Sequence, residues 1–237
     1  MDTALRRGYT LGMELAPKLI DVTVPDRPEG VVLVLHGGAS RTGGAAVSPT
    51  QLSVLRMVPI AQRIGRAGKH RLAVFRLLNT QRGWDTHHTP VRDAQWALGQ
   101  IAQRLEEELP TALVGHSLGG RAALLAAGHA AVRSVVALAP YVYPDDVPGG
   151  IDGKRLLIVH GTDDRVASPA RSAELARRLA TRADVGYVSV AGGKHAMLRH
   201  HAQFEGLAAD FVTATLLGDE PAGPVARLEA GEHWIEV

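Results

Sequence analysis

The chain has 237 residues, of which 46% are hydrophobic and 21% charged, and its formal net charge is +2. Those values exclude a disordered chain, and the length is enough for one α/β domain with a full core or for two small ones. Cysteine is absent, which excludes disulfides, thiolate metal sites and a cysteine nucleophile. Basic residues are scattered, with Arg177-Arg178 the longest basic run in the body of the chain, so no basic stripe marks a nucleic-acid partner. No apolar run approaches the roughly 18 residues that a membrane span needs, and the stretch with Asp2 and Arg6-Arg7 lacks the continuous apolar segment of a secretory signal. The expectation is a cytoplasmic protein, monomer or homodimer, with no membrane span.

Strand-like and helix-like segments alternate along the chain. Residues 19–24 read as an early, half-exposed strand, and Val31-Val32-Leu33-Val34-Leu35 is apolar throughout, as a strand buried on both faces should be. Residues 52–67 space Leu52, Leu55, Ile60 and Ile64 as on a helix, and 72–75 form a further strand. Residues 90–109 predict an amphipathic helix with Pro90 at its start and Val91, Ala94, Leu98, Ile101 and Leu105 along one face. Strands follow at 111–114, 132–139 and 156–159. A helix over 169–181 has Ser168 as its N-cap, a last strand covers 185–190, and a last helix covers 198–217. Such alternation implies parallel βαβ units and a mostly parallel twisted sheet with helices on both faces. The division expected is one α/β domain over 1–217 and a C-terminal linker and tail over 218–237, the tail folded onto the surface or forming part of a dimer contact.

Gly115-His116-Ser117-Leu118-Gly119 stands between the strand at 111–114 and an Ala/Leu-rich run over 120–128. This is the setting of a serine nucleophile on a sharp strand-to-helix turn, where two glycines let the backbone close so that the Ser117 hydroxyl projects. The five-residue pattern alone arises by chance in roughly one chain of this length in ten. Its weight comes from what lies elsewhere. A serine hydroxyl needs a base, the base needs an orienting acid, and the tetrahedral intermediate needs N–H donors for its oxyanion.

The sequence places a candidate for each at the carboxyl end of a predicted strand, the edge where open parallel sheets form their sites. His36-Gly37-Gly38-Ala39 follows the strand ending at Leu35, so the N–H of Gly38, with that of Ala39 second, is the expected oxyanion donor beside that of Leu118. His160-Gly161-Thr162-Asp163-Asp164-Arg165-Val166 supplies the acid: Asp164, with Asp163 facing solvent and Asp145 or Asp146 as substitutes. Ala191-Gly192-Gly193-Lys194-His195 supplies the base, His195. Among the other histidines, His200 and His201 fall inside the last helix and His116 is expected to point away from Ser117. Nothing matches helical zinc spacing, so neither a metal nor a cofactor is expected.

The order Ser117, Asp164, His195, with the His-Gly-Gly, Gly-x-Ser-x-Gly-Gly, Gly-Thr-x-Asp and Gly-Lys-His segments, resembles the serine-type α/β-hydrolase fold family, in a compact, lidless build similar to dienelactone hydrolases. The resemblance covers 31–217. It implies a single-domain α/β-hydrolase fold without a cap domain, and it assigns the acid of the Gly-Thr-x-Asp pattern to Asp164. Ser117 departs from the Asp-nucleophile branches and from dienelactone hydrolases proper, whose nucleophile is Cys, and Lys194 replaces the small residue often found before the histidine.

The connection over 140–154 is too short for a helical cap, so an open site is expected. Loops over 39–50 and 79–89 are longer, and Trp84, His87, Tyr141 and Met197 are the candidate substrate contacts, with Arg41 and Arg82 as candidates for an anionic substrate. The function expected is that of a serine hydrolase cleaving a carboxylic ester of a small molecule through a Ser-His-Asp triad and an acyl-enzyme. A thioesterase or an acyltransferase on a carrier-bound acyl group is the alternative within enzymes, and a non-catalytic scaffold binding a small ligand or protein partner is the alternative outside them.

Overall fold

A strand as apolar as Val31–Leu35 is stable only in a sheet covered on both faces. It lies third in that sheet. The computed structural model describes residues 16–38 and 45–237. In it β1 (Lys18–Thr23), β2 (Gly30–Leu35), β3 (Leu72–Leu78), β4 (Thr111–His116), β5 (Val132–Leu138), β6 (Arg155–Gly161), β7 (Asp184–Val190) and β8 (Trp234–Glu236) form one sheet in the order β1-β3-β2-β4-β5-β6-β7-β8. Only β1 runs antiparallel to its neighbour. This is a single-domain α/β-hydrolase fold.

The helices divide between the two faces. On one face α3 (Thr89–Leu105), α4 (Leu118–Leu125) and α5 (Pro169–Leu179) pack against Leu33, Phe75 and Leu113. On the other α2 (Met57–Ala67), α6 (His201–Leu217) and α7 (Gly223–Glu229) pack against Val32, Val34 and Val136. Val91, Ala94, Leu98 and Ile101 are buried as the amphipathic pattern requires, and α3 ends at Leu105, where Glu106 turns left-handed at φ 55°. Ser168 caps α5 by accepting from the Arg171 N–H at 3.3 Å.

Two expectations change. The segment 52–67 is not one helix: a four-residue α1 (Leu52–Leu55) precedes α2, and Pro59, in the first turn of α2, has no N–H to give to the carbonyl of Leu55. Leu52 and Leu55 are consequently exposed, while Ile60 and Ile64 are core. The last twenty residues, read as a linker and tail, contain α7 and β8. β8 is a parallel edge strand on β7, and Val225 and Ile235 are buried in the core that α6 covers. Among the described residues no helix is long and apolar enough to cross a membrane.

Candidate active site

Ser117 sits between β4 and α4 with φ 56° and ψ −120°, a conformation that costs a non-glycine residue about 1–3 kcal/mol. The backbone holds it from both sides: its N–H donates to the Leu138 carbonyl at 3.0 Å, and its carbonyl accepts from Arg121 at 3.1 Å and Tyr141 at 3.0 Å. Gly115 and Gly119 are glycines because a side chain at the first would strike the Gly119 backbone, and one at the second would strike that of Leu35.

His195 and Asp164 reach Ser117 from the ends of β7 and β6. His195 Nε2 lies 3.0 Å from Ser117 Oγ, and His195 Nδ1 lies 2.8 Å from Asp164 Oδ2. The two loops close on each other through a second glycine pair, since a side chain at Gly161 would run into Gly193. Thr162 and Gly192 lock them further, the Gly192 N–H donating to Thr162 Oγ1 at 2.9 Å.

Asp164 is held on every lone pair within reach. Its Oδ1 accepts from the N–H groups of Val166 and Ala167 at 2.8 and 2.9 Å, and its Oδ2 accepts from His160 Nε2 at 3.1 Å as well as from His195. Burial by itself pushes the carboxyl pKa up. The hydrogen bonds from His160, His195, Ala167 and Val166 outweigh it and hold the group well below the usual carboxylate range. The hydrogen-bond network fixes the tautomers: His195 donates from Nδ1 and accepts at Nε2, and the buried His160 donates from Nε2 while Ser172 Oγ lies 2.7 Å from its Nδ1.

His160 was not singled out in the sequence. It occupies the sixth position of β6, and a histidine in an otherwise apolar buried strand was the available signal. His116 also differs from expectation. Instead of pointing away, its ring lines the Ser117 cleft, 4.9 Å from that of His195, and its Nε2–H donates to the His195 carbonyl at 2.9 Å. Burial first, and His195 second, push its pKa down to about 3, so the ring stays neutral.

The residues expected as oxyanion donors lie on α4 and the loop after β2. Leu118 is the first residue of α4, so its N–H has no partner within the helix. Gly38 lines the same cleft, and a side chain there would meet the Gly83 N at 3.1 Å. His36 pins this loop to β3, its Nε2 accepting from the Asn79 N–H at 3.1 Å. Ala39 and Arg41 lie outside the described residues.

The four substrate candidates scatter. Tyr141 lines the cleft, which encloses about 290 Å³. Met197, 3% exposed, lines an apolar cavity of about 360 Å³ beside it. Trp84 instead packs under the Arg121 guanidinium at 4.2 Å and against the core, and His87 is exposed on its loop. Asp146 and Asp145 are engaged by Arg121 and Arg178, each at 2.8 Å, away from His195. Arg82 does not line the cleft. Among the described residues the arginine that does is Arg56, at the break between α1 and α2. Its sequence signal was its place on the i+4 stripe Leu52, Arg56, Ile60, Ile64, where a charge interrupts an apolar face.

Residues 96–214, which hold all three of Ser117, Asp164 and His195, match the model of the alpha/beta hydrolase family. The chain belongs to that family. No curated protein matches this alpha/beta hydrolase in sequence. Among solved structures, Est1E from Butyrivibrio proteoclasticus with bound ferulic acid is similar at 16% identity and a TM-score of 0.64, covering 85% of this chain and 96% of that one. A Pyrobaculum calidifontis esterase is similar at 14% identity and a TM-score of 0.61, covering 85% of each chain. An a/b serine hydrolase without lid from Xanthomonas campestris is similar at 16% identity and a TM-score of 0.60, covering 88% of this chain and 90% of that one. In the present chain the segment between β5 and β6 contains no helix.

Proposed function

We propose that this alpha/beta hydrolase is a serine esterase that cleaves carboxylic esters of small molecules through an acyl-enzyme on Ser117. The observation that carries the reading is the unbroken hydrogen-bond order Ser117 Oγ, His195 Nε2, His195 Nδ1, Asp164 Oδ2, at 3.0 and 2.8 Å. The esterase among its fold neighbours supports esters as the substrate class.

In the proposed reaction Ser117 Oγ attacks the ester carbonyl carbon as its proton passes to His195 Nε2. Asp164 stabilises the imidazolium and keeps it oriented. The carbonyl electron pair moves onto oxygen, where the N–H groups of Leu118 and Gly38 receive it; one such donor contributes about 3 kcal/mol. Collapse of the intermediate expels the alkoxide, which His195 protonates. Water then repeats the sequence on the acyl-enzyme and releases the acid. The exposed Leu52 and Leu55 and the buried Met197 offer apolar surface to the non-polar part of the substrate.

Fluorophosphonate labelling and a rate series over p-nitrophenyl esters of increasing chain length test the reading. The wild type should label and turn over, and Ser117→Ala should label not at all and lose at least about 10⁴-fold in kcat. Labelling that survives Ser117→Ala would overturn the assignment of the nucleophile. A wild type that neither labels nor hydrolyses esters would overturn the activity.

A further inference from the structure

Among the described residues, Arg56 alone lines both the Ser117 cleft and the apolar cavity beside it. It is half-buried, and its Nε is inaccessible to solvent with no hydrogen-bond partner among the described residues. Three other partly buried arginines each meet a carboxylate, Arg71 that of Asp219, Arg121 that of Asp146, and Arg155 those of Asp184 and Glu229, whereas Arg76 and Arg82 form no ion pair among the described residues and, unlike Arg56, do not line the Ser117 cleft. The cavity does contain a carboxylate, that of Glu205, but it makes no ion pair with Arg56 and faces His201 Nδ1 at 3.4 Å. Among the described residues no carboxylate lines the Ser117 cleft.

A guanidinium with part of its hydration removed and no counter-charge is unfavourable unless something supplies that charge. An anion on Arg56 removes that penalty. The planar fork of an arginine matches a carboxylate with two parallel N–H···O bonds, and Leu52, Leu55, Met197 and Leu198 border it with hydrocarbon surface.

Resting on the serine-esterase reading, we propose that Arg56 is the carboxylate-recognition residue of this site and that the substrates are esters carrying a second, ionised carboxylate on an apolar frame. The carboxylate belongs either to the acyl part, as in a half-ester of an apolar dicarboxylic acid, or to the alcohol part. In both cases Arg56 binds it while the ester carbonyl faces Ser117.

The experiment compares matched pairs. For the acyl side, 4-nitrophenyl half-esters of adipic, suberic and sebacic acids are each set against the corresponding methyl 4-nitrophenyl diester. For the alcohol side, the valerate ester of 4-hydroxybenzoate is set against that of methyl 4-hydroxybenzoate. The carboxylate member of one series should be preferred about 10- to 100-fold in kcat/KM, mainly through KM, and the favoured length or side locates the carboxylate. Arg56→Gln should bring that ratio to about one, and Arg56→Lys should retain part of it. A readout free of turnover separates this proposal from the esterase reading. Monomethyl suberate should bind Ser117→Ala protein at least tenfold more tightly than dimethyl suberate, and Arg56→Gln in that background should erase the difference. Equal handling of charged and neutral partners by the wild type and by Ser117→Ala protein, or a preference that persists in Arg56→Gln, would overturn the proposal. Loss of ester turnover and of labelling with the binding preference intact would instead overturn the esterase reading alone.

Discussion

The two walls of the Ser117 cleft are built on opposite rules. On the β6–β7 wall, every side-chain polar atom of Asp164 and His195 has a partner, the loops interlock through Gly161 and Gly193, and His160 and Ser172 extend the network into the core. On the α1–α2 wall, Arg56 Nε has no partner among the described residues, and Leu52 and Leu55 are exposed. A satisfied network fixes geometry, as proton transfer at a stated atom requires. An unpartnered guanidinium donor beside exposed hydrocarbon leaves the wall ready for a ligand to complete. On the proposed function the contrast gives chemistry to one wall and recognition to the other, and the two should separate in kcat and KM.

The largest test is Asp164→Asn. It keeps the shape but removes the charge and the correct tautomer of His195, so kcat should fall about 10⁴-fold with little change in KM. A large change in KM with kcat preserved would break the division between the walls. His160→Gln probes the same wall one layer deeper. It replaces a bond to a charged carboxylate, worth about 1.5–3 kcal/mol, so kcat should fall about 10- to 100-fold while KM holds. Substrate-saturation kinetics read both.

His116→Gln tests a group that touches both walls. The folded pKa of about 3 lies below the unfolded value of 6.5, so the unfolded chain takes up a proton first as the pH falls. The neutral ring's contribution is complete above pH 6.5 and is lost progressively towards pH 3. Between pH 7 and pH 5 the wild type should lose about 2 kcal/mol more stability than His116→Gln, which carries no such proton. Denaturant midpoints at the two pH values give the comparison, and equal losses would show that His116 protonates freely in the folded protein. The smallest effect belongs to the recognition wall. Leu55→Ser removes exposed hydrocarbon, at under about 1 kcal/mol, so KM for long-chain p-nitrophenyl esters should rise a few-fold with kcat unchanged.

Much of the chemical wall was legible in the sequence because its residues sit at strand ends, and strands announce themselves by apolar runs. Val159 and Val190 close such runs, so Asp164 and His195 fall on the correct edge, and the order Ser117, Asp164, His195 follows. His160 stands just past such a run, at the head of the segment read for its acid, and one polar residue there says nothing about its partner. On the recognition wall the helical periodicity of 52–67 misled. Spacing alone read 52–67 as one helix with Leu52, Leu55, Ile60 and Ile64 in step, whereas a four-residue α1 precedes α2 and leaves Leu52 and Leu55 exposed. Residues 218–237 lacked a strong apolar run, yet Ile235 is buried, because a three-residue edge strand needs only one inward side chain.

By itself, then, the sequence determined the layered sheet and the candidates for nucleophile, acid and base, since these depend on local runs, turns and their order. Tertiary structure alone decided what each of them touches. That His160 backs Asp164 depends on the turn that brings two residues four apart together, and that His116 ties down the His195 carbonyl 79 residues away and that Arg56 stands over the cleft with no partner among the described residues depend on distances between remote segments. No periodicity encodes such distances, because they are fixed by the packing of helices and loops onto the sheet.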